Sequence, residues 1–138
     1  MPRGVLESLL GYHLRRAQVA VFQDFGVAMR GMDITPGQFG VLALIQANPG
    51  LTQSALGEAM GIDRSTVVAV IDRLESRGLV RRAPSPNDRR SYALVLDAEG
   101  ERRFAEALKR VRAHERRIAR RMSAAERVAL IELLRRVG

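Results

Sequence analysis

A chain of 138 residues, 46% of them hydrophobic, can bury one real core as a single domain or one subunit of an oligomer. Its 23 basic residues against 15 acidic ones leave a net charge of +8, an excess that points to a polyanionic partner. The absence of cysteine excludes disulfides, thiolate zinc sites and a cysteine redox switch. With neither a secretory leader nor an apolar run of about 18 residues, a cytoplasmic protein that does not engage a membrane is expected.

In chain order, Leu6, Leu10, Leu14, Ala17, Val21 and Phe25 step by three or four, which predicts a long first helix from about Val5 to Met29. A helix of that length in a small protein packs lengthwise on a partner or spans two lobes. Thr35-Pro36-Gly37-Gln38 starts a second helix: threonine caps, proline takes the first helical position, and Gln38 returns a bond to the cap. Asn48-Pro49-Gly50 stops it.

Thr52 then caps a short third helix, which ends at Gly61. From Asp63 to Gly78 comes a helix with two unlike faces. Val67, Val70, Ile71 and Leu74 share its apolar side, while Ser65, Ala69, Asp72 and Ser76 lie opposite, flanked by Thr66, Val68 and Arg73. Two helices joined by a tight glycine turn make a helix-turn-helix, whose second helix can enter the major groove of DNA. Leu79–Ala83 and Ser91–Leu96 read as paired strands around a turn-rich, arginine-bearing tip, Pro84 to Arg90.

Asp97 caps a further helix crowded with arginine, and Ser123-Ala124-Ala125-Glu126 is a capping box for the last one. That last helix carries Val128, Leu130, Ile131, Leu133 and Leu134 and is too apolar to stand alone in water. The fold class expected is therefore mainly α: a winged helix-turn-helix lobe over residues 35–97, with a two-stranded wing. The helices over 5–34 and 98–138 serve mainly for homodimerisation.

The blocks Asp63-Arg64-Ser65-Thr66-Val67, Asp72-Arg73-Leu74-Glu75, Gly78-Leu79-Val80 and Asn87-Asp88-Arg89-Arg90, followed by Leu96 and Gly100, resemble the multiple-antibiotic-resistance-regulator (MarR) family of bacterial transcription factors. The resemblance extends over nearly the whole chain in length and helix order. It implies a ligand-responsive regulator, a repressor that binds a pseudo-palindromic duplex as a homodimer.

On the recognition helix, Ser65 and Thr66 lie in the first turn, where free amides and the helix dipole favour a phosphate. Arg64 can reach a phosphate or fork onto guanine, Arg73 is a phosphate candidate, and Val68 and Ala69 suit thymine methyl groups. The family resemblance implies that Asp88 orients an arginine of the wing tip while Arg89 or Arg90 enters the minor groove. In a narrow A·T-rich groove such an arginine reads shape more than base identity.

The resemblance also implies an effector, an aromatic carboxylate or its thioester, bound between dimer helices and winged helix. Tyr12, His13, Arg16 and Phe22 of the first helix and Phe39 of the second are the candidate walls. Leu10 to Gln18, with Val21 to Phe25, is similar to the opening of those family members that sense hydroxycinnamoyl-coenzyme A.

No catalytic or metal-ligand constellation is present in the sequence. His13 and His114 lie about a hundred residues apart, neither in a ligand spacing nor beside a motif-supported nucleophile, so neither an enzyme nor a resident cofactor is expected. The competing class is a helical or winged-helix adaptor for a protein or RNA partner. Its solvated arginines would give no operator-specific DNA binding.

Overall fold

In the computed structural model, residues 1–86 and 90–138 are described. They form two compact units, Gly31–Lys109 and a second made of Met1–Arg30 with Arg110–Gly138.

Unit Gly31–Lys109 contains α2 (Pro36–Ala47), α3 (Gln53–Met60), α4 (Arg64–Ser76), β1 (Val80–Pro84), β2 (Tyr92–Leu96) and the N-terminal part of α5 (Ala98–Ile118). The cap signals are realised where the sequence places them. Thr35 and Gln38 form the reciprocal capping box of α2, and the Thr52 hydroxyl accepts from the Ala55 amide. The strands pair antiparallel from Val80↔Leu96 to Pro84↔Tyr92.

A connection not expected from the sequence is that Leu94 donates its amide to the Leu51 carbonyl at 2.8 Å, and Thr52 bridges to Ala93. The wing is thereby tied to the start of α3. The core of the unit is Val41, Leu42, Leu56, Val67, Ile71, Leu74, Val80 and Leu94, all essentially inaccessible. Phe39 stacks on Phe104 with ring centroids 5.6 Å apart. At Gly100 a Cβ would lie 2.0 Å from the Leu79 carbonyl oxygen, so only glycine lets α5 start this close to β1.

The other unit holds a 3₁₀ turn (Gly4–Ser8), α1 (Leu10–Ala28), the C-terminal part of α5 and α6 (Ala124–Leu134). The first helix is thus not continuous from Val5. Leu9 adopts extended angles, φ −94° and ψ 123°, and separates the turn from α1. Ser123 and Glu126 cap α6 reciprocally. Within this unit Phe25, Met29 and His114 are buried, whereas Val5, Leu6, Leu9 and Leu10 near one end of the chain and Val128, Leu130, Ile131, Leu133 and Leu134 near the other are exposed.

The expected boundaries at 34/35 and 97/98 and the observed ones at 30/31 and 109/110 differ chiefly in α5. Its N-terminal part, with Phe104 and Ala107 buried, belongs to the winged-helix unit. Arginines hold the carbonyls of the segment that leaves α1. Arg110 donates to the oxygens of Ala28 and Arg30 inside one unit, and Arg77 and Arg103 donate to those of Met32 and Asp33 inside the other.

Candidate nucleic-acid interface

Helix α3 ends at Gly61, whose left-handed φ of 65° turns the chain within one residue so that α4 can start at Arg64. Val67, Ile71 and Leu74 anchor α4 in the core, leaving Arg64, Ser65, Thr66, Ala69, Asp72, Arg73 and Ser76 exposed on its outer side, with Val68 half-buried. The two unlike faces of α4 read from the sequence are therefore present, the polar one exposed.

Its N-terminus differs from expectation. Asp63 caps α4, taking the Thr66 amide at 2.8 Å and the Ser65 hydroxyl at 2.9 Å. The backbone hydrogen bond from Thr66, followed by those from the side chains of Thr66 and Ser65, holds the Asp63 carboxyl below its ordinary value. A carboxylate thus occupies the place that the first-turn amides would otherwise offer a phosphate, and the Ser65 proton is committed to it. The residues Ser65 and Thr66 are themselves exposed.

Beside α4 lies an open groove of about 720 Å³, lined among others by Gln53, Ser54, Arg64, Val68, Arg82 and Arg90. Arg90 is exposed at the base of the wing tip. Asp88 and Arg89 lie outside the described residues. Tyr92, 52% exposed, also lines the groove, a contribution that strand alternation did not flag.

Sequence reasoning also missed Arg82, whose guanidinium bridges Asp72 at 2.8 Å and Glu75 at 3.0 Å. It donates as well to Gln53 Oε1 at 3.0 Å and to the Val68 carbonyl at 3.4 Å. The signal available in the sequence was only the two carboxylates at Asp72 and Glu75, three apart and so on one side of α4.

The effector candidates are divided between the units. On α1, Tyr12 and His13 meet edge to face with ring centroids 5.3 Å apart. Arg16 donates to the Tyr12 hydroxyl at 3.4 Å, its guanidinium carbon 5.9 Å from the ring centre. The His13 Nε2–H donates to the Glu7 carbonyl at 2.8 Å, which leaves Nδ1 as the ring's acceptor. Phe22 is exposed on the same helix but ten residues beyond Tyr12, about 15 Å along the axis. Phe39 belongs to the other unit, where it stacks on Phe104. Among the described residues no cluster of histidine and acidic side chains could hold a metal ion.

The MarR family model matches residues 32–91, the stretch that carries the helix-turn-helix and most of the wing. Over 135 residues the chain is 42% identical to the putative transcriptional regulatory protein for the hcr operon of Thauera aromatica, spanning 97% of this chain and 81% of that one. The chain belongs to the MarR family.

MarR-family membership makes it a DNA-binding transcriptional regulator rather than an enzyme. Solved MarR-fold structures extend the likeness to the whole architecture. The transcriptional repressor CouR bound to a 23-mer DNA duplex is 43% identical, with a TM-score of 0.92 over 97% of this chain and 95% of that one. CouR bound to p-coumaroyl-CoA is 41% identical, with a TM-score of 0.86 over 97% and 94%. The mainly α winged helix-turn-helix read from the sequence is thus the fold observed.

Proposed function

We propose that this MarR-family protein is a cytoplasmic repressor. It binds a pseudo-palindromic operator as a homodimer and is released by an aromatic acyl-coenzyme A thioester. The observation that carries the DNA part is the outer face of α4. Arg64 and Arg73 stand exposed at its two ends with small side chains between them, and Arg90 lines the adjoining groove. Arg64 and Arg73 serve phosphates, Ala69 and Val68 meet base methyl groups, and the wing arginine enters the minor groove. The large apolar residues left exposed at the N-terminus and on α6 support dimerisation, since a partner would take that apolar surface out of water. Two recognition helices then require major-groove half-sites about 34–36 Å apart.

The effector reading rests on the Tyr12–His13–Arg16 cluster, which offers an aromatic wall beside a cation and an imidazole acceptor. The likeness to CouR in complex with p-coumaroyl-CoA favours a thioester over a free acid. Binding can release DNA only by the difference in its affinity for the two states, a tenfold ratio corresponding to about 1.4 kcal/mol.

The test is selection of duplexes from a random-sequence pool, followed by titration of the complex with p-coumaroyl-coenzyme A, p-coumarate and coenzyme A. A palindromic consensus and release by the thioester alone are expected. Release by the free acid would make the protein a plain phenolic-acid sensor. No release by any of them, with no calorimetric binding, would remove this ligand class.

A further inference from the structure

We infer that Arg82 is a positioning residue for DNA recognition. It locks the wing to the recognition helix so that both address the duplex as one rigid reader, without itself touching DNA. This rests on the DNA-binding reading above.

Arg82 sits on β1 opposite Leu94, and its side chain is only 16% exposed. Every nitrogen of its guanidinium has a partner, drawn from two helices outside its own hairpin. Nε donates to Gln53 of α3, one terminal nitrogen to Glu75 of α4, and the other to Asp72 and to the Val68 carbonyl of α4. Glu75 in turn accepts the Arg82 backbone amide at 3.3 Å, so side chain and strand are both fastened to α4. A guanidinium already spent on four groups cannot also serve as a phosphate anchor without dismantling the set. The neighbouring Arg81 differs: its side chain is 59% exposed, and among the described residues its ion pair is with Asp97.

The charge balance points the same way. Asp72 and Glu75, with side chains 60% and 42% exposed, place two negative charges on the helix meant to approach a polyanion. Arg82 draws both toward the wing and offsets one of the two. Its planar fork can reach Gln53, Asp72 and Glu75 together, whereas a lysine ammonium is a single point on a flexible stem. The strand that leads into the wing is therefore fastened to α4 at the base of the hairpin.

The probe is a duplex selected by the wild-type protein from a random-sequence pool. Anisotropy titrations at several salt concentrations compare Arg82→Met, Arg82→Lys and Arg90→Ala with the doubles Arg82→Met/Arg90→Ala and Arg82→Lys/Arg90→Ala. All are read where each variant is fully folded by circular dichroism. Arg82→Met should weaken binding at least tenfold and flatten the slope of log K against log salt by no more than Arg90→Ala does on its own, and Arg82→Lys should behave like it. In either background Arg90→Ala should add less than a twofold loss, because a wing that is no longer aimed has nothing left to lose.

An undiminished Arg90→Ala effect in the Arg82→Met background would overturn the inference, as would no effect of Arg90→Ala in the wild type. So would a slope that Arg82→Met lowers by about one further unit in the Arg90→Ala background, the mark of a phosphate contact made by Arg82 itself. If Arg82→Met does not fold, Glu75→Gln with Asp72→Asn loosens the same lock from the helix side, and the same Arg90→Ala comparison decides. Failure to select any duplex would remove the DNA reading itself. Selection followed by full additivity would remove the lock alone.

Discussion

His114 and Asp24 share a 2.6 Å hydrogen bond from imidazole Nδ1 to carboxylate Oδ2, at a histidine only 3% exposed that also meets Phe25 edge to face. Arg117 closes on the same carboxylate from its more exposed side at 3.0 Å. The hydrogen bonds from Arg117 first, and then His114, hold the Asp24 carboxyl below its ordinary value of 3.8. A depressed folded-state value means that the stabilisation is complete above the unfolded value and is lost as pH falls through the folded one. Asp24→Asn should therefore lower the melting temperature at neutral pH, and its difference from wild type should shrink below pH 3.8. Thermal melts across the acid limb check this, and a constant difference would refute it.

Gly100→Ala should destabilise the winged-helix unit by about 3 kcal/mol or more, since the new methyl meets backbone and not a flexible side-chain end. Denaturant unfolding reads the effect. A loss below about 1 kcal/mol, or the gain of about 1 kcal/mol that alanine ordinarily brings to a helix, would show that β1 and α5 can separate freely.

Asp63→Ala should cost about 1 kcal/mol of stability through the lost cap, and Asp63→Ser far less, because a hydroxyl can accept the same Thr66 amide. Equal losses for both would place the role of Asp63 elsewhere. In acid the aspartate cap weakens as its lowered titration is crossed, whereas the serine cap does not.

Deleting Ser123 to Gly138 removes α6 and should abolish dimerisation together with operator binding, as read by light scattering and anisotropy. A truncated monomer that kept full-site affinity would sink the dimer proposal.

Arg90→Ala and Arg89→Ala should each weaken operator binding, and Arg90→Ala should do so without lowering the melting temperature by more than a degree or so, as expected at an exposed position. Whichever one enters the minor groove should matter most on sites with an A·T-rich flank and flatten the salt slope by about one unit. Identical affinities for wild type and both variants at every salt concentration would rule out a wing contact.

What the sequence revealed most directly was local chemistry. The boxes at Thr35–Gln38 and Ser123–Glu126 are legible because both partners lie three residues apart, and the recognition face because helical spacing fixes it. The break at Leu9 was illegible: Leu6 and Leu10 keep helical spacing whether the turn between them is α or not. The hub at Arg82 was hidden for another reason. Its partners stand 7 to 29 residues away, and no period connects a strand arginine to Gln53. Likewise, whether Ser65 faces a phosphate or Asp63 depends on one side-chain rotation, which spacing does not determine.

The arginines on the carbonyls of Ala28, Arg30, Met32 and Asp33 bear on how this sequence can drift. Arg77 spans the Met32 and Asp33 oxygens with the two terminal nitrogens of its planar head, a reach that an ammonium does not match, whereas both bonds from Arg110 leave a single nitrogen. Lys109, Arg112, Arg116 and Arg121 are exposed on α5 and just beyond it. A lineage whose coding shifted from arginine toward lysine could make that exchange along the exposed α5 positions at little cost. At Arg77 the same exchange would loosen the segment between α1 and α2. Arginine retained at position 77, amid free exchange along the exposed face of α5, is the pattern that related genomes should display.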